Sequence, residues 1–182
     1  IALLISDPDD LSSVCSLTVA TGSHNDPRGT PGVAHLCEHM LFAAGSKKYP
    51  DPNLYHKILA KNNGTHNAYT TGEQTTFFFE MSNINTNGEL EFDLAMNIFS
   101  SFFTNPLFST NLLNKELYVI QSEHDSNISN IDKIFYHGTR LLSYKEHPFH
   151  QFSTGDITSL SKISGSDLKS ILIEYFNQNF FA

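Results

Sequence analysis

The sequence predicts an α+β fold in which a mixed, largely antiparallel sheet packs against several helices, as a single domain over residues 1–182. Runs rich in β-branched and aromatic residues cluster in the first half of the chain, and helical periodicity takes over in the second. The two kinds of element are grouped and do not strictly alternate, which favours an α+β layer arrangement over a parallel doubly wound one. With 182 residues and 40% apolar content the chain can bury a core of ordinary domain size.

IALLIS and SSVCSLTVATGS, separated by the turn-rich DPDD, predict two adjacent strands forming a hairpin. HNDPRGTPG is a loop, and it delivers the chain to VAHLCEHMLFAAG, a helix stopped by Gly45. Asp51 before Pro52 is an N-cap and first-turn-proline signal, and Leu54, Tyr55, Ile58 and Leu59 carry a second helix through Lys61. NNGTHNAYTTGEQ holds a short extended piece before the strand TTFFFEMS. Leu90, Leu94, Ile98, Phe102 and Phe103 mark a helix from Glu89 to Phe103, with Pro106 just past its end. A fourth helix starts after Ser109 or Thr110 and runs towards Ser126, a fifth spans Ile131 to Ser143, and a long loop, YKEHPFHQFSTGD, follows. Ser166 to Asn179 closes the chain as another helix.

Composition excludes some functions. Nineteen acids against eleven bases give a formal charge of −8, and no Lys/Arg cluster offers a surface for nucleic acid. No apolar run approaches bilayer length, and no signal-peptide pattern is visible. The chain opens at Ile1 inside an apolar run, so it reads as a piece of a longer chain. Cys15 and Cys37 are too few for a disulfide framework, which fits a reducing, cytoplasmic compartment. The sequons at Asn63 and Asn127 then have no consequence.

The chemistry concentrates in VAHLCEHMLF, where three titratable side chains interrupt an apolar helix. Burying such groups without partners is costly, so they either hydrogen-bond in the core or bind something. His35 and His39 are four residues apart and project from one helix face, where both can reach one ion. Glu38 lies between them in projection, placed to act on a water without being a ligand. Zinc suits these donors, and a catalytic zinc site takes three protein ligands, so one is missing locally. A single His in such a run is usually a packed residue, but two at ligand spacing outweigh that reading. HLCEH also matches the H-x-x-E-H inverzincin signature. Cys37 points away from this face and reads as a packed thiol. His66, His124, His147 and His150 lack partner spacing and read as structural.

SDP at 6–8, GS at 22–23, CEHMLF at 37–42, KKYP at 47–50, NAYTTGE at 67–73, PLF at 106–108, SEH at 122–124 and HPFHQFSTG at 147–155 occur in the order seen in one family. Over nearly its whole length the chain resembles the insulin-degrading enzyme and pitrilysin (M16) metallopeptidases. The nearest resemblance is to the insulin-degrading branch and its single-chain eukaryotic members, fungal processors of a mating-pheromone precursor among them. The resemblance implies that a distant glutamate completes the zinc site. Glu116 and Glu123, seven residues apart on the fourth helix, both qualify. The family's usual spacing from His39 lands on Glu116. Local matching from PLF onward, allowing an insertion in INTNGEL, puts SEH over the ligand instead, making Glu123 the ligand and Glu116 a supporting acid.

The resemblance further implies zinc-assisted peptide-bond hydrolysis with Glu38 as general base, and an edge strand at Asn67, Ala68 and Tyr69 on which an unfolded peptide or small pro-peptide lies as an added strand. It also implies further domains of the same kind in one chain. The present segment is then the zinc-bearing N-terminal domain, and by itself it cleaves poorly or not at all. The rival reading, a non-catalytic peptide-binding or scaffold subunit, is disfavoured because His35, Glu38, His39 and both candidate glutamates are all present.

Overall fold

The computed structural model describes residues 2–7, 9–83, 91–161 and 165–180. Three strands form one antiparallel sheet in the order β1-β3-β2: β1 is Ser12–Val19, β2 Thr65–Thr70 and β3 Thr75–Ser82. β3 is central, pairing Ser12 with Ser82 through Val19 with Thr75 on one side, and Thr65 with Glu80 through Thr70 with Thr75 on the other. Its alternation explains the layering: Phe77, Phe79 and Met81 are buried while Glu80 is exposed. Seven α-helices, with short 3-10 turns at Ser23–Asn25 and Pro148–His150, complete the described chain: α1 Val33–Ala43, α2 Leu54–Lys61, α3 Phe92–Thr104, α4 Thr110–Asn127, α5 Ile131–Leu141, α6 Ile157–Leu160 and α7 Gly165–Phe180.

An aromatic cluster joins sheet to helices. Phe77 meets Phe42 of α1 and Phe103 of α3, and Phe79 meets Tyr55 of α2 and Phe99 of α3, with ring centroids 5.0–6.0 Å apart. α1 runs beneath β2 and packs also on α4 and α7, so its apolar residues Val33, Leu36, Cys37, Met40 and Leu41 are at 0% exposure. Burying each such large side chain contributes about 1.5–3 kcal/mol, which fixes the helix face that remains for chemistry.

The start of α1 is set by Asp26, whose Oδ2 accepts from the Gly32 N–H at 2.8 Å and Oδ1 from the Ala34 N–H at 2.7 Å. Gly32 has φ 99° and Gly155 φ 74°, and a Cβ on Gly32 would sit 2.5 Å from the Gly155 Cα. The two glycines therefore let the 147–155 loop lie directly against the entry to α1. Gly45, at φ 69°, ends the same helix as the sequence predicts.

The expected hairpin from IALLIS is not formed. Residues 2–7 carry no strand, and Leu3, Leu4 and Ile5 are 84%, 94% and 79% exposed. Apolar content alone does not make a strand: among the described residues β1 pairs with β3 alone, and its outer edge is not taken by residues 2–7. α2 begins at Leu54, because Asp51 turns the chain locally by accepting from the Asn53 N–H at 2.9 Å. The short helix α6 is capped by Asp156, which accepts from the Ser159 N–H at 2.5 Å. Four residues are too few to show periodicity in sequence. The INTNGEL insertion and the predicted start of the third helix at Glu89 lie outside the described residues.

Candidate functional site

His35 and His39 project from α1 into one cavity of about 1020 Å³, floored by α1 and walled by β2, α4 and the 147–155 loop. Each imidazole is oriented through its Nδ1. His35 Nδ1 lies 2.9 Å from the carbonyl oxygen of Thr154, which can only accept, so Nδ1 carries the proton. His39 Nδ1 lies 3.1 Å from Glu116 Oε2 and donates to it in the same way. Both Nε2 lone pairs are thereby left to converge, 3.2 Å apart. The Glu123 carboxylate closes the triangle, with Oε2 3.4 Å from His35 Nε2 and Oε1 3.6 Å from His39 Nε2.

These separations fit zinc. Nitrogen and oxygen donors about 2.0–2.2 Å from a tetrahedral zinc ion stand roughly 3.3–3.6 Å from one another, within about 0.1 Å of all three separations here. Among the described residues, His35, His39 and Glu123 are the group of acidic and imidazole side chains with this convergence. Electrostatics divide the two rings. Burial, then the neighbouring His39, lowers the pKa of His35. Burial pulls His39 down as well, but the hydrogen bond to Glu116 and the charges of Glu123 and Glu38 outweigh it and the pKa is raised.

Glu38 is 8% exposed, lines the cavity, and its Oε2 accepts from Thr70 Oγ1 at 2.5 Å. Thr70 sits at the end of β2, so the same strand that walls the cavity positions the carboxylate. Asn67, Ala68 and Tyr69 occupy the middle of β2, which pairs with β3 and, among the described residues, with no other strand. Asn67 and Tyr69 point outward and Ala68 inward. The Ala68 N–H is taken by Asn67 Oδ1 at 2.9 Å.

Several supporting residues escaped sequence reading. Arg140, 5% exposed, donates through Nε to the Phe149 carbonyl at 2.8 Å, through Nη1 to Ser153 Oγ at 2.7 Å, and through Nη2 to the Gln151 carbonyl. It thereby holds the loop whose next residue, Thr154, orients His35. Neither Arg140 nor Thr154 carries a spacing signal to a residue more than a hundred positions upstream. His66, expected to be structural, has a partner that spacing does not announce: its Nε2 lies 3.0 Å from His56 Nδ1 on the cavity wall. That pair joins α2 to β2, so no helical or strand period announces it. Cys37 is fully buried, and burial raises its thiol pKa, in line with a packed thiol.

The fold and this site define a class. Residues 1–145 match the insulinase (peptidase family M16) model, and the chain belongs to that family. Over its whole length it is 59% identical to the putative protease AXL1 of Saccharomyces cerevisiae, covering 15% of that protein. It is 39% identical, again over its whole length, to the A-factor-processing enzyme of the same yeast, covering 17% of it. The crystal structure of pitrilysin superposes on 96% of this chain and 18% of its own, with a TM-score of 0.86 and 26% identity. The chain thus spans less than a fifth of each of these three proteins.

Proposed function

We propose that this segment is the zinc-bearing domain of a metalloendopeptidase, acting on unfolded peptides or small pro-peptides. The observation that carries the reading is the triangle of His35 Nε2, His39 Nε2 and the Glu123 carboxylate, with both Nδ1 atoms already engaged and Glu38 beside it. His35, His39 and Glu123 are the ligands, and Glu116 fixes the His39 tautomer. Zinc held there would supply the Lewis acidity that lowers the pKa of a water and polarises a peptide carbonyl. Glu38 accepts the proton of the attacking water at Oε2 and passes it to the departing amine, after releasing Thr70 Oγ1. Asn67 withdraws from the Ala68 N–H so that the substrate backbone can pair with β2 as an added strand.

Family membership and the names of the matched proteases support this reading. The matched proteins' greater length supports further M16-type domains in the same chain, and the segment alone is then expected to bind zinc yet cleave poorly. Two free cysteines accord with a cytoplasmic setting, and no described helix is long and apolar enough to cross a membrane. The test compares the full-length chain with its Glu38→Gln variant on an unstructured peptide. The reading expects cleavage to fall about 10²–10⁴-fold with zinc retained. Equal cleavage removes Glu38 from the role of base and leaves the alternative of a non-catalytic peptide-binding subunit.

A further inference from the structure

The cavity holds a second pair of imidazoles that the hydrolytic reading does not use. His56 on α2 is exposed and His66 on β2 is half-buried, with ring centroids 4.6 Å apart and His66 Nε2 3.0 Å from His56 Nδ1. Phe42 and Tyr55 wall in His66 at ring distances of 4.7 and 5.3 Å, and its Nδ1 is buried with no hydrogen-bond partner. Burial and then His56 lower the His66 pKa to about 4, so this ring is a neutral lone-pair donor at physiological pH.

Left alone, the pair shares one N–H···N hydrogen bond. With the protons on His56 Nε2 and His66 Nδ1, two lone pairs face one another at the same separation, and no ionisation is needed. Donors 3.0 Å apart and about 2.0–2.1 Å from one ion subtend roughly 90–97° at it. That is the cis angle of a square-planar or octahedral ion, narrower than a tetrahedral one. Imidazole donors in this geometry favour copper(II) or nickel(II), with copper(II) bound more tightly.

We propose that His56 and His66 form a second divalent transition-metal site, suited to copper(II), on the cavity wall beside β2. Water fills the remaining positions of the ion. By strand alternation His66 lies on the same face of β2 as Ala68, so the ion stands between that face and α2. The metal binding does not rest on the proposed function.

The test titrates the zinc-loaded full-length protein with copper(II) alone, followed by electron paramagnetic resonance and by metal analysis after gel filtration. Wild type is expected to retain copper beside its zinc, with a two-nitrogen signature. His56→Ala and His66→Ala should each weaken copper retention at least about tenfold without loss of zinc. His56 is exposed, so its variant separates loss of the site from loss of the fold. Copper retained equally by His56→Ala, or copper that only displaces zinc, overturns the site. A protein that cleaves no peptide yet shows the variant-sensitive copper signal refutes the peptidase reading while upholding the metal site.

Discussion

At the scale of single residues, the two glutamates of α4 differ by what they touch. Glu123 reaches both Nε2 atoms, whereas Glu116 reaches the Nδ1 of His39. Glu123→Gln is therefore expected to abolish stable zinc binding, and Glu116→Gln to weaken it about 10–100-fold, read by competition with a chelator. The reverse ranking would make Glu116 the ligand. The HLCEH pattern was legible because helical periodicity alone brings its three side chains to one face. The roles of Thr154 and Thr70 were not, since their contacts with His35 and Glu38 depend on how a loop and a strand cross α1. His66 adds a pH dependence. Its pKa falls from 6.5 to about 4 on folding, so between those values the unfolded chain takes up a proton that the folded chain resists. Its contribution to stability is complete above pH 6.5 and is lost as pH falls towards 4. Urea unfolding of metal-free protein across that range should show a steeper loss for wild type than for His66→Asn; identical slopes contradict this.

At the scale of elements, the site depends on the 147–155 loop as much as on α1. Arg140 ties that loop down through three hydrogen bonds, one step before the carbonyl that orients His35. Arg140→Gln removes the charge-assisted hydrogen bonds to the Phe149 and Gln151 carbonyls, at a cost of about 1.5–3 kcal/mol. It should also weaken zinc binding through a carbonyl it does not itself touch; unchanged affinity with lowered stability would limit Arg140 to folding. Elements with strong local signals read correctly from sequence: α1 with its glycine stop, the apolar period of α7, and the aromatic strand β3. IALLIS read as a strand because it is apolar, yet residues 2–7 form no strand although the outer edge of β1 is open among the described residues; apolar composition alone does not specify pairing. α6 is held by its Asp156 cap and by Gln121 Oε1, which accepts from the Ile157 N–H at 3.0 Å. The second of these is a tertiary contact with no trace in the local sequence.

At the scale of the molecule, the described chain leaves much apolar surface uncovered. Leu3, Leu4, Ile131, Phe135, Leu142 and Tyr144 are each at least 75% exposed, and β1 and β2 are both edge strands. Residues 1–182 expressed alone are therefore expected to self-associate, read as a concentration-dependent shift in sedimentation; a stable monomer at high concentration contradicts this. The central claim is that His35, His39 and Glu123 hold one zinc ion. It is tested most directly by the zinc content of purified full-length protein and its His39→Ala variant. The account predicts about one equivalent bound by this site in the wild type, lost in a variant that keeps its circular dichroism spectrum. Equal zinc in the two proteins, or none in well-folded wild type, would contradict it.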